Sequence, residues 1–237
     1  MNKNKILIIA EIGHNHMGYM RHAKLLIDEA KACGCDIAKF QAYNTEKIKK
    51  PWESRYFELK LSEHTKEEFK ELKEYCDKVS IEFMASAFDL EHLAWLEELG
   101  VKRHKLASRS IYDTELIKAM EATGKPIIAS LGKIDSRGIP EIKNCEYLFC
   151  ISEYPTYMTP EMFPSKFGDG SKYAGFSDHT IGCYWPREAV KRGAKIIEKH
   201  FTLSRELPGH DQKGSADPTE MKDFCTYARQ AERGIMY

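Results

Sequence analysis

Eight short apolar runs recur along the chain, each followed by a turn or by a longer amphipathic segment. They lie at 5–10 (KILIIA), 36–41 (DIAKFQ), 81–86 (IEFMAS), 103–107 (RHKLA), 126–131 (PIIASL), 146–151 (EYLFCI), 173–177 (YAGFS) and 195–200 (KIIEKH). Runs of this length, rich in β-branched and aromatic residues, read as strands of a parallel sheet covered on both faces. Between them the spacing becomes helical. HAKLLIDEAKACG (22–34) places Leu25, Leu26, Ala30 and Cys33 on one side and stops at Gly34. Helical segments beginning at Thr65, Asp89 and Asp113 each open on a residue whose side chain can cap a helix. Two more helices are expected at 185–193 and 218–233, while 135–144 and 158–170 are short and irregular. Strict strand–helix alternation predicts an α/β fold, and eight such units in 237 residues favour closure into a (β/α)8 TIM barrel. The chain is therefore read as one barrel domain over residues 1–237, with an open doubly wound sheet as the alternative. No G-x-G-x-x-G or P-loop follows any strand, so a nucleotide site has no support.

Charge excludes other classes. With 36 basic and 36 acidic side chains the formal net charge is zero, which gives no electrostatic case for nucleic acid or an anionic membrane surface. No apolar run reaches the ~20 residues of a membrane span. The basic start MNKNKILIIAEIG has no small-residue cleavage site after it and reads as a strand. Seven cysteines without a C-x-x-C pair fit reduced, unremarkable thiols of a cytoplasmic protein, and the C-x-C of ACGC is poor geometry for zinc.

In a barrel the reacting groups sit at the carboxyl ends of the strands. Those ends carry Glu11; Lys39 and Gln41; Ser86; Lys105 and Ser108; Ser130; Ser152 and Tyr154; Ser177 and His179; Glu198 and His200. Four of the pairs are spaced i, i+2, which puts both members on one face of a strand. A lone serine there is usually a helix cap and a lone histidine usually structural. Polar groups at all eight ends point to a cluster. Two lysines with several hydroxyls suit an anion, and two imidazoles on adjacent strands suit a divalent Lewis-acid metal. Glu11, Gln41 and Asp211 suit a polyhydroxylated partner. Together these describe the addition of a phosphorylated three-carbon unit to a sugar.

The blocks IAEIGHNHMG (9–18), AKFQAY (38–43), KLAS (105–108), SEYPT (152–156), FSDHTIG (176–182) and IEKHFTLSRELPGHDQKGSADP (197–218) resemble the sialic acid synthase family. That family joins phosphoenolpyruvate to N-acetylmannosamine or related amino sugars on a TIM barrel. The resemblance implies that His179 and His200 hold the metal, manganese or magnesium. It implies a phosphoenolpyruvate pocket of Lys39, Ser86, Lys105, Ser108, Ser130, Ser152, Tyr154 and Ser177. Acceptor contacts would be Glu11, Gln41, Glu198 and Asp211, with Glu11, Lys105 and Glu198 acting in the chemistry. Three departures stand out. Ser152 replaces a common asparagine, and the fifth and sixth crossovers are short. The sequence also ends at Tyr237, ahead of the family's C-terminal antifreeze-like domain. That last departure leads to the expectation of a homo-oligomer partner or a separate protein covering the site. A catalytically silent sugar- or anion-binding barrel and a metal-assisted sugar lyase or isomerase are the competing readings.

Overall fold

The computed structural model describes residues 5–235. Eight strands close a parallel barrel: β1 Leu7–Glu11, β2 Ile37–Ala42, β3 Glu82–Ala87, β4 His104–Leu106, β5 Ile127–Ser130, β6 Cys145–Cys150, β7 Gly175–Asp178 and β8 Ile196–His200. Every neighbour pair is parallel, including β1 with β8. The expected (β/α)8 TIM barrel is thus the observed fold, with strand ends moved by one or two residues. Among the described residues, no helix is long and apolar enough to cross a membrane.

Period two separates two cores. Ile9, Ile37, Met84, Ile128, Leu148 and Ile196 point into the lumen and plug it. Their sequence neighbours, such as Ile8, Ala38, Phe83, Ile127 and Ile197, face outward under the helices. The strand middles are largely apolar on both faces for this reason; Glu82, His104 and Glu146 lie toward amino ends, and the cavity-lining polar groups lie toward carboxyl ends.

The outer layer comprises α1 Met20–Cys33, α2 Thr45–Ile48, α3 Tyr56–Leu61, α4 Lys66–Val79, α5 Leu90–Glu98, α6 Thr114–Ala122, α7 Tyr184–Lys191 and α8 Pro218–Glu232. α1 buries Ala23, Leu26, Ile27, Ala30 and Cys33, whereas Leu25, expected on that stripe, is 45% exposed. On the 3.6-residue period Ala23, Leu26, Ile27, Ala30 and Cys33 share one face, and Leu25 lies about 100° round from Leu26. Each fully buried Leu or Ile there contributes roughly 1.5–3 kcal/mol. Gly34 ends α1 in the left-handed region at φ 97°, which lets its N–H reach the last carbonyls. Thr65, Asp89, Asp113 and Asp217 each accept a backbone N–H at a helix start, about 1 kcal/mol apiece.

The fifth and sixth crossovers carry no helix. There Phe163 and Phe167 pack with Phe149, Phe176 and Trp185, so an aromatic cluster covers the strands in place of a helix. Two short helices that periodicity did not reveal, α2 and α3, lie between β2 and α4 and carry Arg55 to the barrel mouth.

Candidate active site

A cavity of about 270 Å³ opens at the carboxyl ends of the strands. All fourteen residues singled out from the sequence line it: Glu11, Lys39, Gln41, Ser86, Lys105, Ser108, Ser130, Ser152, Tyr154, Ser177, His179, Glu198, His200 and Asp211. Strand register explains the convergence. Glu11 is level with Lys39 on one side and His200 on the other, Gln41 with Ser86, Ser86 with Lys105, and Ser177 with Glu198.

Directly above the apolar plug lies an ionic layer. Lys39 Nζ is 2.6 Å from Glu11 and 3.4 Å from Glu198, and Lys105 Nζ is 3.7 Å from Glu198. All four side chains are at least nine-tenths buried. Burying four charges costs several kcal/mol each unless they compensate one another, which this spacing achieves. Hydroxyls complete the layer. Lys39 donates to Ser86 at 3.2 Å, Lys105 to Ser130 at 2.8 Å, and Ser177 to Glu198 at 2.9 Å.

The two carboxylates differ. Burial raises the pKa of Glu11 above the usual range, and the adjacent Glu198 charge adds to this against the pull of Lys39. For Glu198 burial acts the same way, but Lys105 and Lys39 together outweigh it and hold the group at about 2. Burial lowers the pKa of Lys105. For Lys39 burial acts downward too, and the carboxylates of Glu11 and Glu198 overcome it to raise the group.

His179 and His200 stand side by side with ring centroids 5.4 Å apart. Nδ1 of His179 donates to the Ile151 carbonyl at 2.7 Å, which fixes the ring and leaves the Nε2 lone pair for another partner. Burial drives His200 down to about 3, so its imidazole is neutral, and its buried Nδ1 has no hydrogen-bond partner. These are properties of ligating imidazoles, and the pair fits a divalent cation. Among the described residues no three His, Cys, Asp or Glu side chains form a metal cage, so such a cation would draw most of its sphere from water and substrate. Tyr154 caps the pair, its ring 4.1 Å from His179 and 5.8 Å from His200.

Asp211 comes from the loop after β8. His14 lies 3.2 Å from one of its oxygens and Arg55 lies 3.3 Å from the other. Burial alone would raise Asp211, but His14, His200 and Arg55 hold it well below the usual carboxylate range. Arg55 itself occupies the left-handed region at φ 68°, a conformation that costs about 1–3 kcal/mol and clusters at functional sites.

Sequence reading missed several members. His14, Arg55, Arg109 and Lys133 also line the cavity. The seven cysteines are all unpaired as expected, but one is not unremarkable. Cys150 Sγ sits 3.8 Å from His179 Nδ1 and 3.7 Å from Ser108 Oγ. Burial would raise this thiol, and the neighbouring His179 lowers it instead. The signal was available: period two from Leu148 through Cys150 to Ser152 puts the thiol on the lumen face.

A parallel barrel whose mouth combines buried, compensated lysines with two adjacent imidazoles defines an enzyme class. It is suited to holding a multiply charged anion beside a carbonyl partner. The chain belongs to the NeuB family, whose pattern residues 26–236 match. This bears out the resemblance read from the motifs. An uncharacterised protein of Methanocaldococcus jannaschii is 40% identical over 95% of this chain and 71% of that one. The N,N'-diacetyllegionaminic acid synthase of Campylobacter jejuni is 34% identical over 98% of this chain and 78% of that one. Among solved structures, an N-acetylneuraminic acid synthetase from Leptospira borgpetersenii, crystallised with citrate, superposes with a TM-score of 0.84 at 32% identity. That superposition covers 98% of this chain and 86% of the other. NeuB-family synthases condense phosphoenolpyruvate with sugar substrates, and the chain is an enzyme of this carbon–carbon bond-forming type.

Proposed function

We propose that this chain condenses phosphoenolpyruvate with an open-chain sugar aldehyde, releasing phosphate and a nonulosonic or related 3-deoxy-2-keto sugar acid. The observation that carries this reading is the ionic layer of Glu11, Lys39, Lys105 and Glu198 set against the paired imidazoles of His179 and His200. His179 and His200 would hold a divalent cation, manganese or magnesium, which supplies Lewis-acid polarisation of the aldehyde oxygen when bound.

Lys39 and Lys105 face the anion from below, with Ser86, Ser108, Ser130, Ser152 and Ser177 as its hydroxyl partners. Tyr154 closes the same side. Gln41 donates to Glu11 at 2.7 Å, and with Asp211 the three form the edge facing a polyol acceptor. Carbon–carbon bond formation joins C3 of phosphoenolpyruvate to the aldehyde carbon. The aldehyde oxygen then needs a proton, and Glu11, with its raised pKa, is the group to give it. Water adds at C2 and loses a proton toward Glu198, which is held ionised. The tetrahedral centre expels phosphate, leaving the 2-keto acid. Pushing two neighbouring carboxyl groups apart in pKa is what lets one act as donor and the other as acceptor.

Phosphate release from phosphoenolpyruvate, measured against a panel of aldoses and amino sugars with mass spectrometry of the product, tests the reading. Release that requires an aldose and yields the summed carbon skeleton supports it. An aldose isomerised without phosphate release, or thermal shifts without turnover, would refute it.

A further inference from the structure

The ionic layer raises a question of charge. Its two lysines are faced by two carboxylates, so even with Glu11 protonated the layer holds no more than one net positive charge. Phosphoenolpyruvate carries a carboxylate and a phosphate monoester whose second pKa is near 6, so it arrives with about three negative charges. Further cations line the cavity. Lys49 is engaged with Glu53 at 3.3 Å, and Arg55 with Glu58 and Asp211 at 3.3 Å each. Arg109 and Lys133 also line it, and among the described residues neither has a carboxylate partner. Arg109 stacks over Phe88 at 5.2 Å, which fixes its guanidinium without neutralising it.

Their positions in the chain are informative. Arg109 directly follows Ser108 at the end of β4, and Lys133 directly follows Gly132 after β5. The two segments are joined, since the Gly132 N–H donates to Ser108 Oγ at 3.0 Å. A Cβ built on Gly132 would lie 2.3 Å from Ser152 Oγ and 3.0 Å from Ser108 Oγ. The hydroxyls of β4 and β6 therefore converge on one glycine, with a cation attached on either side.

On the synthase reading, we infer that Arg109 and Lys133 grip the phosphoryl group of phosphoenolpyruvate from the β4–β5 side of the mouth. They supply positive charge that the layer beneath, its lysines faced by carboxylates, does not have to spare. A guanidinium offers paired N–H donors to two phosphate oxygens, and an ammonium adds a point charge. The phosphate end is then directed away from His179 and His200, and C3 toward the side where the aldehyde would lie.

Calorimetric titration of phosphoenolpyruvate and of inorganic phosphate into the wild-type protein, Arg109→Met, Lys133→Met and the double variant tests this. Each single change should weaken both ligands by about tenfold, the loss typical of one charge-assisted contact. The double variant should also show a flatter dependence of affinity on salt. Arg109→Lys should recover part of the loss. In steady state the KM for phosphoenolpyruvate should rise while that for the sugar stays constant. Wild-type binding left unaltered by the double variant, or a rise confined to the sugar's KM, would overturn this inference alone. Wild-type protein that bound no phosphoenolpyruvate would remove the synthase reading and this inference together.

Discussion

Replacing Glu198 with glutamine isolates the electrostatics of the ionic layer, because the amide mimics the protonated acid in shape and removes only its charge. The carboxylate is held at about 2 against an ordinary value of 4.5. At 1.36 kcal/mol for each tenfold change in proton affinity, that difference makes ionised Glu198 worth about 3 kcal/mol of folding stability. The sign follows from a depressed pKa. The contribution is fully present above pH 4.5 and is lost as pH falls toward 2. Urea unfolding of wild type and Glu198→Gln should therefore differ by about 3 kcal/mol at pH 7 and by only about 1 kcal/mol at pH 3. Part of the neutral-pH deficit reflects Lys105, which loses its nearest carboxylate and, already lowered by burial, sheds its proton more readily. Glu11 also gives up its proton more readily, since the charge that helped raise it is gone. A deficit equal at the two pH values would refute the reasoning, since a packing defect does not titrate.

His179→Ala and His200→Ala should each abolish phosphate release and weaken manganese binding, read by electron paramagnetic resonance, with the circular dichroism spectrum unchanged. Full activity in either variant would remove the metal assignment. Gly132→Ala should raise the dissociation constant for phosphoenolpyruvate by tenfold or more, because its methyl would meet Ser152 Oγ at 2.3 Å and Cys150 Sγ at 2.9 Å. Calorimetry showing wild-type affinity would mean the cradle is not where the anion sits. Asp178→Asn breaks a fully buried pair with Lys199 Nζ at 2.8 Å, on the two strands that carry the histidines. Leaving that ammonium uncompensated should cost about 3–5 kcal/mol in chemical denaturation.

Much of this arrangement could be read from the residues because a strand has only two faces. Once 36–41 was a strand, Lys39 and Gln41 had to share a side, and the same holds for Glu198 with His200. The barrel then brought those sides together. Loops obey no such rule. His14 and Arg55 reach the mouth on the segments after β1 and β2, whose course depends on tertiary packing and on a left-handed turn at Arg55. α2 and α3 are too short to generate a helical period. The stripe of α1 was misplaced at Leu25 because Leu25, Leu26 and Ile27 are consecutive apolar residues, of which only Leu26 and Ile27 turn to the core. Cys150 was passed over because composition made all the thiols look alike, although its register did not.

The hydrocarbon plug beneath Lys39, Lys105, Glu11 and Glu198 has a bearing on solvent traffic. Ile9, Ile37, Met84, Ile128, Leu148 and Ile196 seal the lower end of the lumen, so molecules reach these four groups only through the mouth. Whatever enters must push water out along the path it came in by. Occupancy therefore sets the local permittivity: a filled mouth strengthens every Coulombic contact below it, and an empty one damps them. The order in which two substrates arrive then acquires a physical meaning. On the synthase reading, the anion settles before an acceptor stoppers the mouth, and a sugar bound first would shut it out.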